Sequence, residues 1–380
     1  MKMISLVMQV FVYFILLTAL TMVSAQADAN EALVIDGKTI KPGTKESWTM
    51  MASETALGPV GVPVTVINGK ENGPVFALTG ATHPSEVTGV LALALLAKRI
   101  DPNELSGAIL IVHVQNVKGF ESRTKYLNPL DYVNFSKAYP LKELPDTVHE
   151  ENHAIYHRGT SMSHYIGEKI DAEIISHADY HVDFHGGELH ELMTPNIEIF
   201  PQGKEELDKK IRFLAKAFGF PVIWETAAGS IDNLPSYGTK ATERIRSGAS
   251  GAAFVRGKPS VTCEIGSEGT LDMKEVDLTL SGLESVMAHL GMMEGKKAPL
   301  DHSRVLKGGV VLYARRGGLF ISNVTSGDYF PKGKELGKTY NLAGDVVETF
   351  VAPANGFLTN LNTLSTLNPG DMMYVIAYTD

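Results

Sequence analysis

The 380-residue chain carries a net charge of −9, and its lysines and arginines are scattered, which excludes the clustered basic face that a nucleic-acid partner needs. With 44% hydrophobic residues it can bury a full core, and its single cysteine excludes any internal disulfide. At ~150 residues per domain the length corresponds to about two domains after any leader is removed.

Lys2, an apolar run over 4–20 and Val23-Ser24-Ala25 follow the order of a secretory signal, with cleavage expected after Ala25. The expectation is an exported protein, periplasmic or secreted, with no membrane partner after cleavage. An uncleaved anchor is the alternative, because such a run approaches the ~20 residues of a spanning helix. A single cysteine fits a bacterial periplasm, where disulfides are permitted and not required.

Positions 63–70 read as a strand closing in a turn, and 75–78 (Val-Phe-Ala-Leu) as a buried strand. Gly80-Ala81-Thr82-His83-Pro84-Ser85-Glu86 follows, then an apolar helix over 87–96 and an apolar strand over 108–114. Strand, helix, strand without polar alternation indicates a crossover unit of a parallel or mixed sheet. His83 and Glu86 stand where a strand ends and a helix begins, so an imidazole and a carboxylate can converge on a divalent metal. A helix start with Glu86 in the positive end of the dipole and His83 merely exposed is the competing reading.

The polar stretch 116–141, with Arg123, Lys125, Asp131, Asn134, Ser136 and Lys137, is a long loop just past a strand end, where open sheets place ligands. His149, His153 and His157, whose spacing of four invites a metal reading, lie near Pro145 in a polar segment that reads as exposed. A helix is expected over 165–177. On the strand that follows, His181, Asp183 and His185 share one face, with His181 read as a hydrogen-bonded core histidine and His185 as the residue reaching the sheet edge. Strands are expected over 196–200, 221–224 and 259–263, and helices over 205–217 and 272–293. Glu264 ends the strand at 259–263 and is a candidate acid or base, whereas Glu268 reads as a loop carboxylate. Cys263 reads as a small buried residue. Beyond Lys297 short strands with Gly, Asp and Asn turns indicate a small all-β domain. The expected division is a signal peptide over 1–25, an α/β domain over 26–298 and a β domain over 299–380.

His83, Glu86 and His185 form the set of a catalytic zinc site, two ligands close in sequence and one distant, with a fourth position left to water. Glu264 can take a proton from that water and hand it to a leaving nitrogen, and a cation of the Arg123 loop can stabilise an oxyanion or hold a substrate carboxylate.

These motifs resemble the succinylglutamate desuccinylase and aspartoacylase family, relatives of the zinc carboxypeptidases, from about Pro63 onward. His83-Pro84-Ser85-Glu86 resembles the family's His-Gly-x-Glu motif, Asp183-Phe184-His185-Gly186-Gly187 its Asp-x-His-Gly-Gly, and Glu264 in Cys263-Glu264-Ile265-Gly266 falls at its general base. Gly327-Asp328, Gly333 and 352–356 resemble turns of its β domain. The chain departs from the pattern at Pro84, and at Ser136 and Lys137, which stand where the family has an Asn-Arg pair holding a substrate carboxylate; lysine keeps the charge and loses the bidentate fork. Arg123, or Lys125 if the register slips by two, matches the cation that polarises the scissile carbonyl.

The resemblance implies a mixed, mostly parallel sheet flanked by helices, one Zn2+ per chain, and a small substrate with a carboxylate held by Asn134, Ser136 and Lys137. It implies hydrolysis of the amide bond of an N-acyl amino acid or related small acyl amide. A zinc carboxypeptidase acting on peptides or cell-wall fragments, and a non-catalytic binding protein on the same fold, are the alternatives.

Overall fold

The structure is a computed structural model that describes residues 29–139, 161–226, 231–232 and 248–379; the expected signal over 1–25 and His149, His153 and His157 lie outside the described residues. Nine strands form the central sheet: β1 (Thr44–Thr55), β2 (Gly58–Asn68), β3 (Glu71–Thr79), β4 (Ser106–Val112), β5 (Tyr180–His185), β6 (Asn196–Ile199), β7 (Val222–Glu225), β8 (Ser260–Glu264) and β9 (Arg304–Lys307). Their spatial order is β9-β7-β6-β8-β5-β3-β4-β2-β1. Neighbours run parallel from β8 through β5 and β3 to β4, and again along β6, β7 and β9. The β6/β8, β4/β2 and β2/β1 pairs are antiparallel. The mixed, mostly parallel sheet expected from the sequence is therefore present. The β1/β2 hairpin, which the mixed composition of 31–62 did not announce, forms its far edge.

Among the described residues six α-helices accompany it: α1 (Val87–Arg99), α2 (Val117–Ser122), α3 (Met162–Glu173), α4 (Glu205–Phe218), α5 (Gly248–Val255) and α6 (Met273–His289). The apolar strands are unbroken because both sheet faces are covered. Phe76 and Leu78 of β3 join Leu93 and Leu96 of α1, Leu214 of α4 and Val286 of α6 on one face. Ala77 between them joins Ile166 and Ile170 of α3 and Ala252 of α5 on the other. Each fully buried aliphatic or aromatic side chain contributes about 1.5–3 kcal/mol, so these two layers dominate the stability of the sheet. No helix among the described residues is long and apolar enough to cross a membrane.

The C-terminal strands build two further sheets around a core of their own that includes Leu336, Leu358 and Tyr374. They are sewn into the α/β part across the boundary expected at 298. β9 closes the edge of the central sheet beside β7, and the short strand Glu191–Met193 leaves the α/β part to pair with Gly356–Asn362.

Helix α1 packs closely against β5. A Cβ on Gly89 would lie 2.6 Å from Cβ of Phe184, so glycine lets the first turn of α1 rest on the strand that ends at His185. The residues just before α1 are thereby carried over the end of β5.

Candidate metal centre

β3, β5 and β8 are neighbours, run parallel and end at Thr79, His185 and Glu264; their register pairs Thr79 with Asp183 and His185 with Glu264. The carboxyl ends of parallel strands are where such sheets hold ligands. The loop after β3 brings Glu86 to the N-cap of α1, but its carboxylate makes no capping bond. It turns to the imidazoles instead: Oε1 lies 2.7 Å from Nδ1 of His83, and Oε2 3.1 Å from Nδ1 of His185. This arrangement removes the reading of 80–86 as a plain helix start with an exposed histidine.

One ligand atom from each of His83, Glu86 and His185 lies within 4.8 Å of the others, and the two imidazole rings meet edge to face with centroids 4.9 Å apart. Burial alone would raise the Glu86 carboxyl, yet the charges of His83 and His185 hold it below its ordinary value. Burial likewise opposes protonation of His185, and is overcome by Glu86 and Asp183, which push it well up. The approach of His185 to Oε2 lacks hydrogen-bond geometry, so that oxygen is buried without a hydrogen-bond partner among the described residues. His83 Nε2 is likewise buried without a hydrogen-bond partner among the described residues; two imidazole nitrogens, once neutral, and a carboxylate oxygen are the donor set of a zinc site with three protein ligands, and the residues fit that ion.

Asp183 stands behind His185. Its Oδ2 is 3.2 Å from Nε2 of His185, while Oδ1 accepts from Thr79 Oγ1 at 2.6 Å and from Gln115 Nε2 at 3.0 Å. A carboxylate on the far nitrogen fixes the tautomer and aim of a ligating imidazole. Alternation along β5 places Asp183 on the face of His185, but its partners Thr79 and Gln115 come from elsewhere in the chain and carry no sequence signal.

His181 is the core histidine expected, fully buried between Thr79 Oγ1 at 3.0 Å and Ser260 Oγ at 2.8 Å. Burial lowers its pKa to about 4, against a nearby Asp183 that works the other way. The unfolded chain binds this proton near pH 6.5 and the folded chain only near 4, so stability falls as pH drops through that window, by about 3 kcal/mol in all. In urea titrations the stability difference between wild type and His181→Asn should shrink progressively from pH 6.5 to 4. A difference that stays constant would contradict the neutral buried imidazole.

Glu264 is half-buried at the end of β8, with β5 on one side and Asn196 of β6 directly opposite on the other. Cys263 is wholly buried and its thiol is pushed well up by that burial, as a core residue requires. Glu268 is exposed and accepts from Thr363 Oγ1 at 2.7 Å. The 116–139 loop divides. Arg123 is exposed and ends α2 with a left-handed backbone, φ 55°. Lys125 bonds Glu191 Oε1 at 2.7 Å, and Tyr126, which carried no signal of its own, meets the His83 ring edge to face at 4.9 Å. Asn134 uses its side-chain oxygen to accept from the backbone N and Oγ of Ser136, at 3.0 and 2.8 Å. Lys137 is exposed. Pro84 is buried with its ring against α2 at Gly119, where a Cβ would come within 2.4 Å of it.

Residues 72–290 match the succinylglutamate desuccinylase/aspartoacylase catalytic domain. A curated relative, N-alpha-acetyl-L-2,4-diaminobutyric acid deacetylase of Halomonas elongata, is 24% identical over 330 residues, covering 85% of this chain and 87% of its own. The product-bound ectoine utilization protein of Ruegeria pomeroyi superposes with a TM-score of 0.72 at 22% identity, over 88% of this chain and 95% of that one. A succinylglutamate desuccinylase/aspartoacylase from Rhodobacter sphaeroides gives 0.71 at 22% identity with the same coverage. These structures share the zinc carboxypeptidase-like fold described above.

Proposed function

Since the chain belongs to the succinylglutamate desuccinylase/aspartoacylase family, we propose that it is a zinc-dependent deacylase cleaving the amide bond of an N-acyl amino acid or related small acyl amide. The observation that carries this reading is the convergence of His83, Glu86 and His185 at the ends of parallel strands, with Glu264 in register beside His185. The Halomonas elongata relative is by its name a deacetylase of an N-acetylated amino acid, which supports the same reaction class. The basic start and apolar run of 1–25 support a place of action outside the cytoplasm.

His83, Glu86 and His185 would hold zinc, which when bound would supply Lewis acidity toward an acyl carbonyl and a water. The chain's own groups do the rest. Glu264, half-buried at the strand end, accepts the proton of the attacking water at its carboxylate and delivers it to the departing amine nitrogen. Asp183 holds His185 on its far nitrogen, so that the imidazole keeps its aim through the cycle. Arg123 offers a guanidinium for the developing oxyanion, as in the family pattern. Lys137 offers a point charge for the substrate carboxylate, and Asn134 holds the Ser136 turn from which that lysine projects.

A panel of N-acetyl and N-succinyl amino acids tests this proposal. Free amine should appear from one or more members, and blocking the substrate carboxylate as an amide should raise KM by about tenfold or more, the cost of losing a charge-assisted contact of 1.5–3 kcal/mol. Faster cleavage of C-terminal residues from peptides than of any small acyl amide would contradict it.

A further inference from the structure

The loop that touches His83 is held in a way that its sequence does not explain. Leu127 N donates to Lys125 O at 2.6 Å around Tyr126, whose φ is 60°. That is a three-residue turn with its central residue in the left-handed region, a strained arrangement that persists only when its surroundings over-determine it.

Two carboxylates do so. The Tyr126 backbone N donates to Glu188 Oε1 at 3.1 Å, and its phenol hydroxyl donates to Glu191 Oε1 at 2.7 Å. Glu188 is fully buried and also accepts from Ser85 Oγ, between the two ligands of the 83–86 half-site; Glu191 is 5% exposed. Both belong to the segment that continues from His185 through Gly186 and Gly187. A Cβ on Gly187 would lie 2.3 Å from the Glu191 carbonyl oxygen, so glycine is what lets this segment curl back over the site. Glu191 also reaches Asn360 Nδ2, at 3.4 Å, on the strand Gly356–Asn362.

We propose that Tyr126 is a positioning residue for the metal centre: clamped by Glu188 and Glu191, it fixes the His83 imidazole against the segment that carries His185. The inference rests on the zinc reading above and adds a role for a residue outside the ligand set. It also accounts for two buried carboxylates close to a cation site that lie outside that set. Their oxygens hold the ring in place that holds the ligand.

The test is zinc affinity, measured by competition with a chromophoric chelator, on wild type, Tyr126→Phe, Glu191→Gln and the double variant. Tyr126→Phe keeps the ring and loses only the hydroxyl. Each single variant is expected to weaken zinc binding by about tenfold, the lower end of what losing a group behind a ligand costs. The double variant should lose less than the sum of the two singles, because both weaken the hydroxyl–carboxylate link. Far-UV circular dichroism matching wild type separates the effect from unfolding. Wild-type affinity in both single variants overturns the proposal, as do losses that add in the double variant. A wild-type chain that binds no zinc instead overturns the zinc reading beneath it.

Discussion

Glu264→Gln is expected to lower kcat for N-acyl amino acid hydrolysis by about 10²- to 10⁴-fold, the range lost with a general acid–base group, while zinc stays bound. The amide has nearly the shape of the carboxylate and cannot accept the proton that the attacking water must lose. Position is the reason to expect so large an effect. Glu264 pairs in register with His185 at the end of a parallel strand, half-buried, so it is reachable by substrate and fixed by the sheet. It lies outside the group of His83, Glu86 and His185, so the metal content should not follow the activity. Wild-type turnover in this variant would show that another group moves the proton.

Glu86→Ala is the second large effect. Its carboxylate sits between the Nδ1 atoms of two half-buried imidazoles, so its removal takes away one of the three proposed ligands and the only anion of the set. Zinc affinity should fall by more than the ~10–100-fold typical of a group one step behind a ligand, and activity should fall to background. Asp183→Asn supplies the comparison. Asp183 touches the far nitrogen of His185, so its loss should stay within that ~10–100-fold range. Equal losses in the two variants would contradict the division between ligand and support.

The sequence made the site legible wherever one strand end carries a distinctive residue type. His185 and Glu264 end their strands, His83 and Glu86 lie in the loop between β3 and α1, and alternation along β5 already sorts His181, Asp183 and His185 onto one face. Helices α1, α4 and α6 were legible from their apolar spacing, and so was the change of texture beyond 297. The groups behind the ligands were not legible. Thr79, Gln115, Ser85 and Tyr126 matter through contacts made 62 to 104 positions away in sequence, and a hydroxyl or amide at such a position looks like any other until the sheet register is known. The 116–139 loop shows the same limit. Its basic residues led to the expectation of a ligand-facing segment, but their types could not say that Lys125 pairs with Glu191 or that Asn134 spends its oxygen on Ser136. Strand pairing across 298 was not legible either, because it depends on β9 and on Glu191–Met193, both too short to signal their partners.

The most direct measurement is the rate of amine release from an N-acyl amino acid substrate as zinc is added stepwise to metal-free chain. Zinc-dependent deacylation predicts negligible release without zinc, a linear rise, and a plateau at one zinc per chain. Undiminished hydrolysis by the metal-free chain, or no hydrolysis of any N-acyl amino acid once one zinc is bound, would contradict it.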